Sequence, residues 1–155
     1  MIDLSQYVAP GRQMELRKAV EYEDTVGNNS VALSPFLSTG GCLDVFVRMA
    51  IEMTDKVLPT GYITVGRHVE LTHEAPTMMG QEVFFTVTLD RVEGNRLFFA
   101  LEARDGEGPV CVGRYERVAV SSVALMDRAQ ERCRREAPPF AEKRAGHWAA
   151  CWVLE

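Results

Sequence analysis

The sequence predicts an α+β fold in which a five-stranded antiparallel sheet wraps one long helix. Three observations carry that expectation. Residues 39–56 place apolar side chains at helical spacing around most of a helix. Four runs between residues 62 and 123 alternate apolar and polar residues between short turns, and one more such run precedes the helix. A helix this apolar must be covered on most sides, and the rest of the chain offers mainly strands to cover it.

Residues 1–12, with Pro10-Gly11, form a lead-in. From Gln13 to Asp24, Met14, Leu16, Lys18, Val20 and Tyr22 fall on one phase, which predicts a strand. Gly27-Asn28-Asn29 marks a turn, and Pro35 disfavours helix at Ser34. The helix starts at Ser38 or Thr39, either of which can cap its first amides, and ends near Leu58-Pro59. Its stripe is Cys42, Phe46, Met49, Ala50, Met53 and Val57, widened by Leu43, Val47 and Ile51. Only Asp44, Arg48, Glu52 and Lys56 stay polar, four residues apart and alternating in sign, as on a solvated edge.

A meander of four strands follows. Tyr62–His73 places Ile63, Val65, Val69, Leu71 and His73 on one phase. The next two faces are Val83, Phe85, Val87, Leu89 and then Leu97, Phe99, Leu101, Ala103, with Glu93-Gly94-Asn95 reversing the chain between them. Val110 to Val123 is the last strand, and Leu125 to Glu136 a charged surface helix that Pro138-Pro139 ends. The expected organisation is one domain over residues 1–137 and a C-terminal tail, 138–155, that holds Trp148 and Trp152.

Composition narrows the function. A net charge of −5 argues against a nucleic-acid footprint. No apolar run has membrane-spanning length, and the first residues lack a signal-peptide layout. Cys42, Cys111, Cys133 and Cys151 have no metal-site spacing, so a reduced cytoplasmic setting without a metal is expected.

Several residues have the chemistry for a site. His73 ends a strand in phase with Leu71 and so points toward the helix; it can serve as a general base, or be a half-buried histidine satisfied by a backbone carbonyl. Ser38 and Thr39 sit where free helix amides can hold an oxyanion, and either can equally be a plain cap. Asp44 is an acid in the first turns of the helix, or simply the partner of Arg48. Arg117 lies out of phase with Val112, Val118 and Val120, on a solvent face or the floor of a groove. His68 is five residues from His73 and on the opposite face, which makes the two poor joint metal ligands.

Taken together, residues 37–120 resemble the hotdog-fold thioesterases, in the branch of fluoroacetyl-CoA thioesterase. The resemblance rests on Ser38-Thr39-Gly40, on Leu58-Pro59-Thr60-Gly61 with Val65-Gly66, and on Leu71-Thr72-His73-Glu74-Ala75 with Gly80. Val92-Glu93-Gly94-Asn95-Arg96-Leu97 and Glu116-Arg117 continue it in one register. It implies a hotdog fold and hydrolysis of a small or medium acyl-CoA thioester. Thr39 would hold the thioester region and His73 would be the catalytic histidine. Gly66 would line the acyl site, and Arg117 would lie near the substrate. It also implies a homodimer joined edge to edge, with no cofactor beyond the coenzyme A thioester that is the substrate. The family's catalytic helix glutamate falls on Val47, and Asp44, one turn earlier, is the reserve acid. Val47 favours one alternative, a non-catalytic acyl-CoA or small-ligand binding protein; a weaker one is a hotdog dehydratase, which would want a His with an Asp or Glu beside the thioester.

Overall fold

The computed structural model describes residues 2–135, 141–144 and 147–149. The chain divides into two compact units, Met1–Ala119 and Val120–Glu155.

In the first unit the elements are β1 (Gln13–Ala19), α1 (Thr39–Asp55), β2 (Tyr62–His73), β3 (Glu82–Glu93), β4 (Arg96–Arg104) and β5 (Pro109–Ser121, whose last residues cross the boundary). They form one sheet in the order β1-β3-β4-β5-β2, which leaves β1 and β2 as its edges. The pairs β1–β3, β3–β4 and β4–β5 are antiparallel, and facing residues such as Val87 and Leu101 share the inner face. α1 buries Cys42, Val45, Phe46, Met49, Ala50 and Met53 against that face. Phe46 meets Phe85 edge to face, with centroids 5.4 Å apart. Each fully buried Val, Phe or Met side chain of this kind contributes about 1.5–3 kcal/mol by leaving water. Cys42 is fully buried with its sulfur 3.0 Å from that of Cys111.

The structure corrects several sequence-based expectations. α1 ends at Asp55, so Val57 of the expected stripe lies beyond it. β1 ends at Ala19, and Tyr22–Asp24 forms a 3-10 turn closed by a reciprocal Glu21–Asp24 capping box. On α1, Val45 is buried, whereas Ile51 is 36% exposed and Leu43 and Val47 are half-buried. In the first half of β2 the buried residue is Thr64, not Ile63 or Val65. Thr64 and Gly66 face the core, and so do Leu71 and His73; residues of opposite parity share a face, so the alternation shifts along this edge strand. Arg117 is buried at 2% exposure and lies on neither a solvent face nor a groove floor.

The second unit holds α2 (Ser122–Arg135) and a hairpin of β6 (Ala141–Arg144) with β7 (His147–Ala149). α2 begins three residues earlier than its apolar pattern predicts, and the hairpin was not legible in the sequence. Pro138, Pro139 and Trp152 lie outside the described residues.

Candidate active site

Two residues far apart in sequence meet at the start of α1. Ser38 is the cap: its Oγ accepts from Gly41 N at 2.8 Å. The Ser38 hydroxyl and amide both donate to the Asp24 carbonyl, at 3.1 and 2.9 Å. A Cβ on Gly41 would strike that same carbonyl, so the loop can lie on the helix start only over a glycine. The Asp24 carboxylate is in turn held by Lys18 Nζ and by Glu21 N. These contacts fix the helix start against β1.

With Ser38 as the cap, the exposed hydroxyl of Thr39 is left for another partner. Thr39 Oγ1 lies 3.0 Å from His73 Nδ1. His73 is brought there as the last residue of β2, which is pinned at its end by Glu74 N donating to Val110 O at 2.8 Å. The pair opens into a pocket of about 350 Å³ that also takes in Val26, Leu33, Phe36, Leu37, Ala75 and Pro76. The first amides of a helix have no partner within it and carry partial positive charge, so a carbonyl oxygen placed here meets donors.

The other candidate residues lie elsewhere. Asp44 is exposed and pairs with Arg48 (3.2 Å), on the solvated edge with Glu52 and Lys56. It does not line the pocket, and neither does Val47. Gly66 and Arg117 belong to a second polar cluster, at the far end of α1. The Arg117 nitrogens donate to Thr64 Oγ1 (2.9 Å), Thr64 O (2.6 Å) and Tyr115 Oη (2.6 Å). Thr64 Oγ1 also reaches Asp55 (2.9 Å) and Thr54 (3.3 Å). A Cβ on Gly66 would come 2.5 Å from Tyr115 Oη, so the glycine makes room for the tyrosine that Arg117 holds.

On the outer face of the sheet, Glu116 is bridged by Arg96 and Arg67, both at 2.7 Å, which hold its carboxyl down at about 2. His68 and Glu70 face each other at 3.3 Å, away from His73. Among the described residues no group of three His, Cys, Asp or Glu could hold a metal ion, and no helix is long and apolar enough to cross a membrane.

Sequence reasoning did not find the pocket's hydrophobic lining. Val26, Leu33 and Phe36 sit in a turn-rich segment without periodicity. The available signal was a set of apolar residues in a loop running directly into a capped helix start.

A five-stranded antiparallel sheet wrapped around one long helix is the hotdog fold of the thioesterase superfamily. The chain belongs to the fluoroacetyl-CoA-specific thioesterase (FlK) family, whose model matches residues 20–123. Among solved structures, a hot-dog-like protein from Thermanaerovibrio acidaminovorans is 41% identical, with a TM-score of 0.80, covering 84% of this chain and 97% of that one. A thioesterase superfamily member from Thermus thermophilus is 25% identical, with a TM-score of 0.71, covering 83% and 97%. The fluoroacetyl-CoA thioesterase FlK is 22% identical, with a TM-score of 0.72, covering 80% and 96%, and shares the fold. Among curated protein sequences, none matches this chain.

Proposed function

We propose that this protein hydrolyses a small or medium acyl-CoA thioester. The observation that carries the reading is the 3.0 Å contact between Thr39 Oγ1 and His73 Nδ1, at a helix N-terminus and in the wall of a pocket. Related FlK structures hold fluoroacetate with CoA, and acetyl-CoA. With the Nδ1 proton donated to Thr39 Oγ1, His73 keeps Nε2 basic to take a proton from water. The Thr39 hydroxyl then turns its own hydrogen to the thioester carbonyl, and the helix amides stabilise the oxyanion. The hydroxide so formed adds to the carbonyl carbon, the tetrahedral intermediate collapses with cleavage of the C–S bond, and the proton on His73 passes to the leaving thiolate. These steps use no metal and no second cofactor. Gly66, which the family register sets beside the substrate, lies in the cluster at the far end of α1, where it makes room for the tyrosine that Arg117 holds.

The protein works as a homodimer in the cytoplasm on this reading. β2 is a free sheet edge, Val69 on it is 37% exposed, and Leu43, Val47 and Ile51 leave an apolar line on α1 partly uncovered. A second copy offering the same edge covers such a surface.

Val47 favours a second reading, a non-catalytic acyl-CoA binder, because a valine at the family's glutamate position cannot activate water. Hydrolysis of a panel of acyl-CoA thioesters by wild type and His73→Ala separates the two. Turnover by wild type that is lost in the variant supports the enzyme. Binding by calorimetry without turnover by either supports the binder.

A further inference from the structure

We infer that the ligand's acyl part is an uncharged hydrocarbon chain longer than two carbons, seated against Val26, Leu33 and Phe36 beside the Thr39–His73 pair. This deepens the thioesterase reading and rests on it.

The first observation is the chemistry of the wall. Beyond Ser38, which caps α1, and the Thr39–His73 pair, its side chains are apolar except Glu74. No lysine or arginine lines it. An acyl group ending in a carboxylate would give up part of its water there, meet no cation and lie near a second carboxylate. A hydrocarbon chain loses only unfavourable contact with water.

The second observation is room. The pocket is about 350 Å³. That is several times the roughly 30 Å³ that one water occupies in the liquid, so a two-carbon acyl group leaves most of it unfilled. The pantetheine arm is a poorer tenant for the apolar end, since its two amides would be buried without partners.

The third observation is how the wall continues outward. Leu33 is 52% exposed, and Met78 and Met79 are 49% and 51% exposed. These methionines lie on the turn after β2 that is bonded back to the loop before α1: Met79 N donates to Pro35 O at 2.7 Å and Leu37 N to Thr77 O at 2.8 Å. The two loops that supply Phe36 and Pro76 to the pocket therefore also carry exposed apolar side chains. Methionine and leucine side chains adapt to chains of different length.

The test is kcat/KM for acetyl-, butyryl-, hexanoyl- and succinyl-CoA, with wild type and Leu33→Lys. Butyryl and succinyl have the same carbon count and differ by the terminal carboxylate. The expected result is a rise of at least about tenfold from acetyl to hexanoyl. Succinyl should fall at least about tenfold below butyryl in the wild type, and Leu33→Lys should narrow that gap by supplying a cation. A wild type that prefers acetyl-CoA, or that takes succinyl as well as butyryl, overturns the inference while leaving the thioesterase reading intact. If no thioester is hydrolysed, that reading falls. The inference is then decided by calorimetric affinity for the same four thioesters: the same order upholds it, and a different order or no binding overturns it.

Discussion

The two ends of α1 each carry a polar cluster shared with β2, and they differ in what is left over. At the C-terminal end, Thr54, Asp55, Thr64, Tyr115 and Arg117 satisfy one another below the surface. At the N-terminal end, Thr39 and His73 pair with each other and face an open pocket. Buried polar groups must find partners, so a closed cluster is explained by the fold alone. A hydroxyl–imidazole pair kept at a pocket wall, with the cap supplied by a neighbouring serine, is not required by the fold. On the proposed function, the open end carries the chemistry and the closed end supports the fold.

The largest effect should come from the open end. His73→Ala should lower thioester hydrolysis by about 10²–10⁴-fold, in the range of lost general-base catalysis, with an unchanged thermal midpoint. Arg117→Met at the closed end should show the reverse pattern. It strips partners from Thr64 O and Tyr115 Oη, and should destabilise by about 3 kcal/mol, read as a lower urea midpoint. Gly66→Ala should destabilise by about 1–3 kcal/mol through overpacking against Tyr115. Combining it with Tyr115→Phe, which removes the crowded oxygen, should recover part of that loss in a double-mutant cycle.

Two smaller effects lie outside both clusters. The Glu116 carboxyl is held near 2 by Arg96 and Arg67, below its ordinary value of 4.5. Its contribution to stability is therefore full above about pH 4.5 and lost as pH falls toward 2. Urea midpoints of wild type and Glu116→Gln should converge across that window and stay apart above it. Asp44→Asn removes an exposed pair with Arg48 and should change stability by less than about 0.5 kcal/mol. Hydrolysis by that variant should stay near wild type; a large loss would bring Asp44 into the chemistry despite its place on the solvated edge.

Legibility followed the same division. β3 and β4 were readable because their buried residues alternate strictly over four positions each. The helix start is readable, its end falls three residues before the expected Leu58, and its orientation is only partly legible. With apolar residues around most of it, periodicity does not distinguish the Val45 side from the Leu43–Val47–Ile51 side. The expected phase holds in β2 for Leu71 and His73 and fails in its first half, because the residue buried there is a threonine, held by an arginine 53 positions away. Burial of Arg117 has no local signal at all: it depends on acceptors assembled by the fold. Thr39 and His73, 34 residues apart, were individually plausible, and their register with a known family is what joined them. The loop clamp through Asp24 and the apolar wall at Leu33 and Phe36 sit in irregular segments, where neither period applies.

The measurement that tests the assignment most directly is a double-mutant cycle in thioester hydrolysis, comparing Thr39→Val, His73→Ala and the two combined. Residues that act as one unit are non-additive, so the double variant should be no slower than the slower single variant. Losses that multiply, or two single variants that both hydrolyse at the wild-type rate, would contradict the view that this pair is the reacting centre.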